Sequence, residues 1–431
     1  MSSPTVFFAI PAMDEMDYLP LTLECISKQE CDAEIITYIC VNQPERWWND
    51  AEKISICQNN QRLLEWLRNC PLPNLHIIDK SSRGKGWTDK EQGVGYARKF
   101  LADKIIQSAN DDDMLISMDA DTTFSPHYCQ SVVANFAAHK QAVAMAVPYY
   151  HLLTNKEAED RAMLRYEIYT RNYNLNLLRI NSPYAYTALG SAIVCPVKSY
   201  KAVGGFDSQE SGEDFYLLRK LRKYGNVLVY NEEKVYPAAR FSARVPFGTG
   251  PAMQKGSVGQ WDSYPLFHYS GFDIIGETYQ QINVLFSEDI NNEFIRFLQT
   301  VFSEKDLWSP LRRNYKTEAA FAKAFHNKVD SLRIFQFLRD YQRNIKKTDM
   351  ECLTEFLQKF YLKEYAYFFP RHAEHDSASP ANNKGIAGHT SAPLSNQTRN
   401  DGQNFENTPI ALLNQLRDFF AEEEAGYQKK M

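Results

Sequence analysis

Two pairs of acids carry the strongest chemical signal in this chain. Asp119 and Asp121 are two residues apart and directly follow the apolar run Met114-Leu-Ile-Ser-Met118. Such a run reads as a short buried strand. Carboxylates at the carboxyl end of a strand in an open α/β sheet face the crevice where ligands bind. Two hard oxygen donors there suit Mg²⁺ or Mn²⁺, with substrate phosphates completing the shell. The alternative is a turn or a helix cap. Asp111 and Asp113 share the spacing but lie in a polar run, where a solvated turn is expected. The second pair, Glu213-Asp214, precedes a helical pattern of Phe215, Leu218 and Leu221 that stops at Gly225. Acids at that position cap a helix and complement its dipole. Equally, one of them can act as a general base toward a hydroxyl.

Basic residues nearby suit an anionic ligand. Arg240 and Arg244, four apart before a Gly-rich turn, can clamp phosphate oxygens or simply cover surface. Lys85 sits in the loop Lys80-Ser-Ser-Arg83-Gly84-Lys85-Gly86-Trp87, which lacks the P-loop pattern and the dinucleotide-binding glycine pattern. It reads as a surface turn or as a basic loop near a nucleotide's phosphates.

The elements that would position these groups alternate regularly. Strands are expected at Val6–Ile10, Glu34–Val41, Leu75–Ile78, Met114–Met118 and Ala142–Val147, with helices between them. Asp17 is expected to cap the first helix, with Pro20 in its first turn. This alternation implies a mostly parallel sheet covered on both faces. One rim would then gather Asp14, Glu15, Asn42, Asp79, Lys85, Asp119 and Asp121. A further strand is expected within Thr187–Pro196, entered through Gly190. The helical stretch around Tyr166, Tyr169 and Tyr173 reads as core or a helix interface, with a sugar-stacking wall as the alternative.

The residues in this order resemble glycosyltransferase family 2, the GT-A fold of nucleotide-sugar-dependent transferases. The likeness runs through Ile10-Pro11-Ala12…Asp14-Glu15, Asp119-Ala-Asp121, Gly190-Ser191, Gly204-Gly205-Phe206-Asp207 and Glu213-Asp214, from about residue 5 to residue 250. It implies that Pro11, Ala12 and Glu15 line the base and ribose pocket. The position where many members carry a base-binding acid reads Asn42-Gln-Pro44 here, so Asn42 or Asp79 would serve. Asp121 would bind Mn²⁺ or Mg²⁺, Asp119 the ribose or the metal, and Asp214 would be the base. His268, the first histidine after Asp214, would be the further metal ligand, although a histidine between aromatics is ordinarily packed. The donor would be a nucleoside diphosphate sugar and the acceptor a hydroxyl on a glycan, a lipid-linked carrier or a small molecule. A single base implies inversion at the anomeric carbon. Two other classes remain: a sugar nucleotidyltransferase releasing pyrophosphate, and a non-catalytic nucleotide-sugar-binding scaffold.

The 431 residues suffice for two or three units, and 44% hydrophobic content is ordinary for a globular chain. A net charge of −5 gives no reason to expect a nucleic-acid partner. None of the eight cysteines forms Cys-x-x-Cys, so neither a zinc site nor a disulfide framework is expected. No apolar run is long enough to span a membrane. No basic region precedes the first apolar run, so a cytoplasmic location without a signal peptide is expected. The expected layout is a GT-A domain over 1–270, a helical appendage over 271–370, a disordered linker over 371–405 containing His372, His375 and His389, and an amphipathic helix over 406–431. That last helix is expected to dock on the body, a partner or peripheral membrane contact being the alternative.

Overall fold

The computed structural model describes residues 3–91, 93–208, 212–241, 249–370 and 404–430. Arg244 and most of the expected linker, including its three histidines, lie outside the described residues. Seven strands form the main sheet: β1 (Val6–Ala12), β2 (Ile35–Asn42), β3 (Leu75–Lys80), β4 (Met114–Ser117), β6 (Ala142–Ala146), β7 (Ile193–Pro196) and β8 (Asn226–Leu228), in spatial order β3-β2-β1-β4-β7-β6-β8. β7 runs antiparallel to both neighbours, so β6 and β8 keep the direction of β4. The carboxyl ends of β1, β2, β3, β4 and β6 therefore share one rim. Because β7 is reversed, its entry loop, with Gly190 and Ser191, reaches the same rim. A second sheet pairs β5 (Thr122–Phe124) antiparallel with β9 (Val235–Pro237).

All seven residues of β1 are buried because helices cover both faces. Val6, Phe8 and Ile10 point into one core, with Leu19, Leu23 and Ile26 of α1 (Leu19–Ser27), Leu63, Leu64 and Leu67 of α2 (Ile54–Arg68), and Val132 and Phe136 of α4 (Tyr128–Ala138). Phe7 and Ala9 point into the other, with Ala97 and Leu101 of α3 (Val94–Ile105), Ile168 and Leu175 of α5 (Glu157–Arg179), and Leu218 and Leu221 of α7 (Glu213–Tyr224), which follows the short α6 (Val197–Ala202). This is the two-fold side-chain alternation of a strand covered twice.

The second core does not stop at the sheet. It continues through Phe272, Phe294, Phe337 and Phe356 of the helical region to Leu413, Leu416 and Phe420 of the helix Ile410–Gln428. That terminal helix lies along α5, so the docking expectation holds. A buried ionic network joins the two. Arg171 donates to Glu424 and to Glu167 Oε1 (2.5 Å from Nη2), and Asn174 Nδ2 donates to Glu424 Oε1 at 3.0 Å. Arg417 donates to the His151 carbonyl at 2.6 Å. The tyrosine stripe is core: Tyr166 and Tyr169 are buried against Tyr264.

Two local expectations change. Helix α1 begins one residue later than Asp17 allows, with Tyr18 at its N-cap and no side-chain cap; Pro20 is in the first turn as expected. Asp113 is buried rather than solvated, because its two carboxylate oxygens accept the amides of Thr5 and Asn110 at 2.9 and 2.7 Å.

Candidate active site

One acid of each pair, Asp119 and Glu213, meets the same arginine. Arg98, on α3, is only 3% exposed. Its Nε donates to Glu213 Oε1 at 2.8 Å, its Nη1 to Ser117 Oγ at 2.7 Å, and its Nη2 to Asp119. One guanidinium thus joins the end of β4 to the N-terminus of α7. Burial opposes its charge, but Asp119, Glu213 and Asp214 together raise its pKa. Gly190 closes the space above it: a Cβ there would stand 2.1 Å from Arg98 Nη2. The Gly190 carbonyl accepts from Ser117 Oγ at 2.8 Å, which completes the clamp.

Asp214 lies beside this cluster in the first turn of α7, behind Gly212 at φ +79°. Burial, with the charges of Glu213 and Asp119, pushes its carboxyl up to about 7, against Arg98 and the Phe215 amide (2.7 Å), which favour the anion. A carboxyl poised near neutrality is what a general base needs.

A second arginine organises the neighbouring corner. The β5–β9 pairing and the bond from the Ala238 amide to the Asp121 carbonyl (3.1 Å) bring residue 240 beside Asp121. Arg240 Nη2 lies 2.7 Å from both carboxylate oxygens of Glu15 and from Asp121 Oδ2, and Nε lies 3.0 Å from the latter. Its guanidinium also covers the Tyr18 ring at 3.9 Å. Glu15 is aimed there by Asp14, held at φ +61° and braced by Asn59 and Asn60 of α2 at 2.6 and 2.9 Å.

The β2–β3 end of the rim satisfies itself. Asn42 is buried, donating to the carbonyls of Ala12 and Cys40 and accepting from Trp87 Nε1, each at 3.1 Å. Asp79 accepts from the amides of Ser81 and Ser82 and from Lys85 Nζ (2.9 Å). Burial works against its charge, yet these bonds bring the carboxyl down to about 2. The Gly84 and Gly86 amides both donate to Glu45, at 2.8 Å. Pro11 and Ala12 end β1 beside them. His268 is elsewhere. Its ring nitrogens are engaged by Ser270 Oγ and Glu355 Oε2 at 2.6 and 2.8 Å, within the helical region.

Among the described residues no three His, Cys, Asp or Glu side chains form a ready metal cage, so His268 does not join Asp119 and Asp121 in one. Asp119 and Asp121, with side chains 36% and 14% exposed, are nevertheless hard oxygen donors of the kind a divalent cation takes alongside ligand phosphates.

Arg98, Glu45, Asn60 and Tyr18 escaped the sequence reading. Arg98 left one usable signal: it shares the apolar face of Val94, Leu101 and Ile105, where a charge must be paired.

No protein-family model matches the chain, and no curated protein is similar to it in sequence. Solved structures similar to it include S. aureus TarS 1-349, at 13% identity over 79% of this chain and 92% of that one, with a TM-score of 0.36. The complex of the same fragment with UDP-GlcNAc has 12% identity over the same shares and a TM-score of 0.39. Mannosyltransferase PcManGT from Pyrobaculum calidifontis, in complex with GDP-Man and Mn²⁺, has 12% identity over 76% of this chain and 88% of that one, with a TM-score of 0.37.

Proposed function

We propose that this protein is a GT-A-type glycosyltransferase that moves one sugar from a nucleoside diphosphate sugar to a hydroxyl acceptor, with inversion. The observation that carries the reading is the joining of Asp119 to Glu213 through Arg98, which brings Asp214, in the first turn of α7, to the sheet rim beside the strand-end acids.

Pro11, Ala12, Asn42 and Asp79, with Lys85 bonded to Asp79, would form the base and ribose side of the donor pocket, and Arg240, beside Asp121, would lie toward its diphosphate. Asp119 and Asp121 would hold Mn²⁺ or Mg²⁺, which when bound supplies positive charge to the diphosphate leaving group. Asp214 accepts the proton of the acceptor hydroxyl as that oxygen attacks the anomeric carbon. The sugar–phosphate bond breaks and the nucleoside diphosphate departs with the bond's electron pair. Arg98 orients the acids: it keeps Glu213 turned toward the interior so that Asp214 meets the acceptor. Alignment of donor and acceptor can itself supply up to about 7–11 kcal/mol of the barrier reduction.

The test is product analysis. Purified protein is incubated with a panel of nucleoside diphosphate sugars, hydroxyl acceptors and Mn²⁺, and the released nucleotide is identified. Release of nucleoside diphosphate with a glycosylated acceptor supports transfer. Release of pyrophosphate assigns the site to a nucleotidyltransferase. Donor binding without turnover of acceptor or water makes the protein a binding module.

A further inference from the structure

The carboxylates assigned to the metal are not waiting with open arms. Arg240 reaches Asp121 through Nε and Nη2 and spans both oxygens of Glu15 with Nη2, while its flat face rests on Tyr18. The side chain is only 17% exposed, so water screens this pairing poorly. A divalent cation held by Asp119 and Asp121 would enter among carboxylates that Arg98 and Arg240 already engage. Such an ion must share Asp121 with a guanidinium of like sign.

We propose that Arg240 is the resident counter-cation of this site and makes metal binding conditional on the donor. This rests on the reading of the site as a nucleotide-sugar pocket. Without a nucleotide, the guanidinium occupies the electrostatic place of the cation and a divalent ion binds weakly. A diphosphate supplies new oxygens that suit a guanidinium's paired donors. Arg240 then shifts onto phosphate, Asp121 is released, and the cation enters with the nucleotide. Metal and nucleotide are therefore positively coupled, and the coupling is reciprocal. A cation lodged first would bind the two carboxylates alone; the arginine prevents that order.

The test reads metal occupancy rather than turnover. Mn²⁺ is titrated against the full chain by electron paramagnetic resonance, alone and with UDP, GDP, CDP or dTDP. Wild-type protein binds Mn²⁺ weakly alone and at least about tenfold more tightly with the nucleotide it accepts. R240Q tightens Mn²⁺ binding without nucleotide by about tenfold and flattens the coupling, whereas R240K, which keeps the charge, stays close to wild type. Wild-type protein that binds a nucleotide, beside an R240Q that gains no Mn²⁺ affinity or an R240K that gains as much, overturns the proposal and leaves the donor-site reading standing. If wild type binds neither Mn²⁺ nor any of the four nucleotides, both fall together.

Discussion

Arg98 Nε stands 2.8 Å from Glu213 Oε1, a salt bridge spanning 115 positions of the chain and almost closed to solvent. With its second arm on Asp119, this one side chain holds both halves of the site in register. Replacing it leaves two carboxylates facing each other without a counter-charge. R98M should cost about 3–5 kcal/mol of stability, as breaking buried ion pairs does. It should also move the activity profile to higher pH, because Arg98 favours the charged form of Asp214. Chemical denaturation and a pH–rate profile check the two effects separately; an unshifted profile would dismiss the arginine's part in tuning the base.

Activity should follow the ionisation of Asp214. The base form is the unprotonated one, so kcat/KM rises with pH, levels off above about 7, and falls about tenfold per unit below it. D214N should lower kcat by about 10²–10⁴-fold, the range of general acid–base effects, with donor affinity within a few-fold of wild type. Steady-state kinetics and nucleotide binding decide it. A D214N enzyme with wild-type kcat removes the base assignment.

The same carboxyl opposes folding. Its folded pKa lies above the ordinary Asp value of 3.8, so its destabilising effect is absent well below 3.8 and grows as pH rises through about 7. D214N should therefore raise Tm at pH 8 and change it little at pH 4. Calorimetry at the two pH values tests this; equal shifts at both would point to packing rather than charge.

Gly190 has no room for a methyl group, since the nearest guanidinium nitrogen would be 2.1 Å from it and Arg98 is fixed on three sides. G190A should push Arg98 off its partners, lowering stability by about 1–3 kcal/mol, the usual cost of overpacking, and lowering kcat by at least about tenfold. A fully active G190A would show that the clamp tolerates displacement.

The terminal helix should be a load on the core rather than an accessory. E424L removes the carboxylate that Arg171 and Asn174 share and should destabilise by about 3–5 kcal/mol. Its partner Glu167 adds an acid limit. Burial raises its pKa, but Arg171, His151 and Arg417 bring it down to about 2, so its contribution is present above its ordinary 4.5 and is lost as pH falls toward 2. Acid unfolding followed by circular dichroism should steepen in that window, and E167Q should flatten it.

The sheet was legible because its strands are short apolar runs with turn residues at regular intervals, and the rim followed from their order. The reversal of β7 was not, since an apolar run between turns carries no record of its direction. At the site, Asp119, Asp121 and Asp214 announced themselves by placement after a strand or before a helix. Of their partners, Arg240 was readable as a basic candidate and Arg98 was not, and neither pairing was legible. Arg98 and Arg240 act through contacts across 115 and 225 positions, and only the folded chain brings such pairs together. Asn42 and Asp79 show the converse limit: their positions at strand ends were readable, but the local hydrogen bonds that absorb most of their polar capacity were not.

One consequence follows from where Phe420 sits. It fills the same apolar interior as Phe7 of the first strand, with helix α5 between. A ribosome must therefore have emitted more than four hundred residues before that interior can be sealed from water. Until then the nascent protein carries an unfilled apolar furrow along α5, the kind of transiently exposed surface through which incomplete folds aggregate.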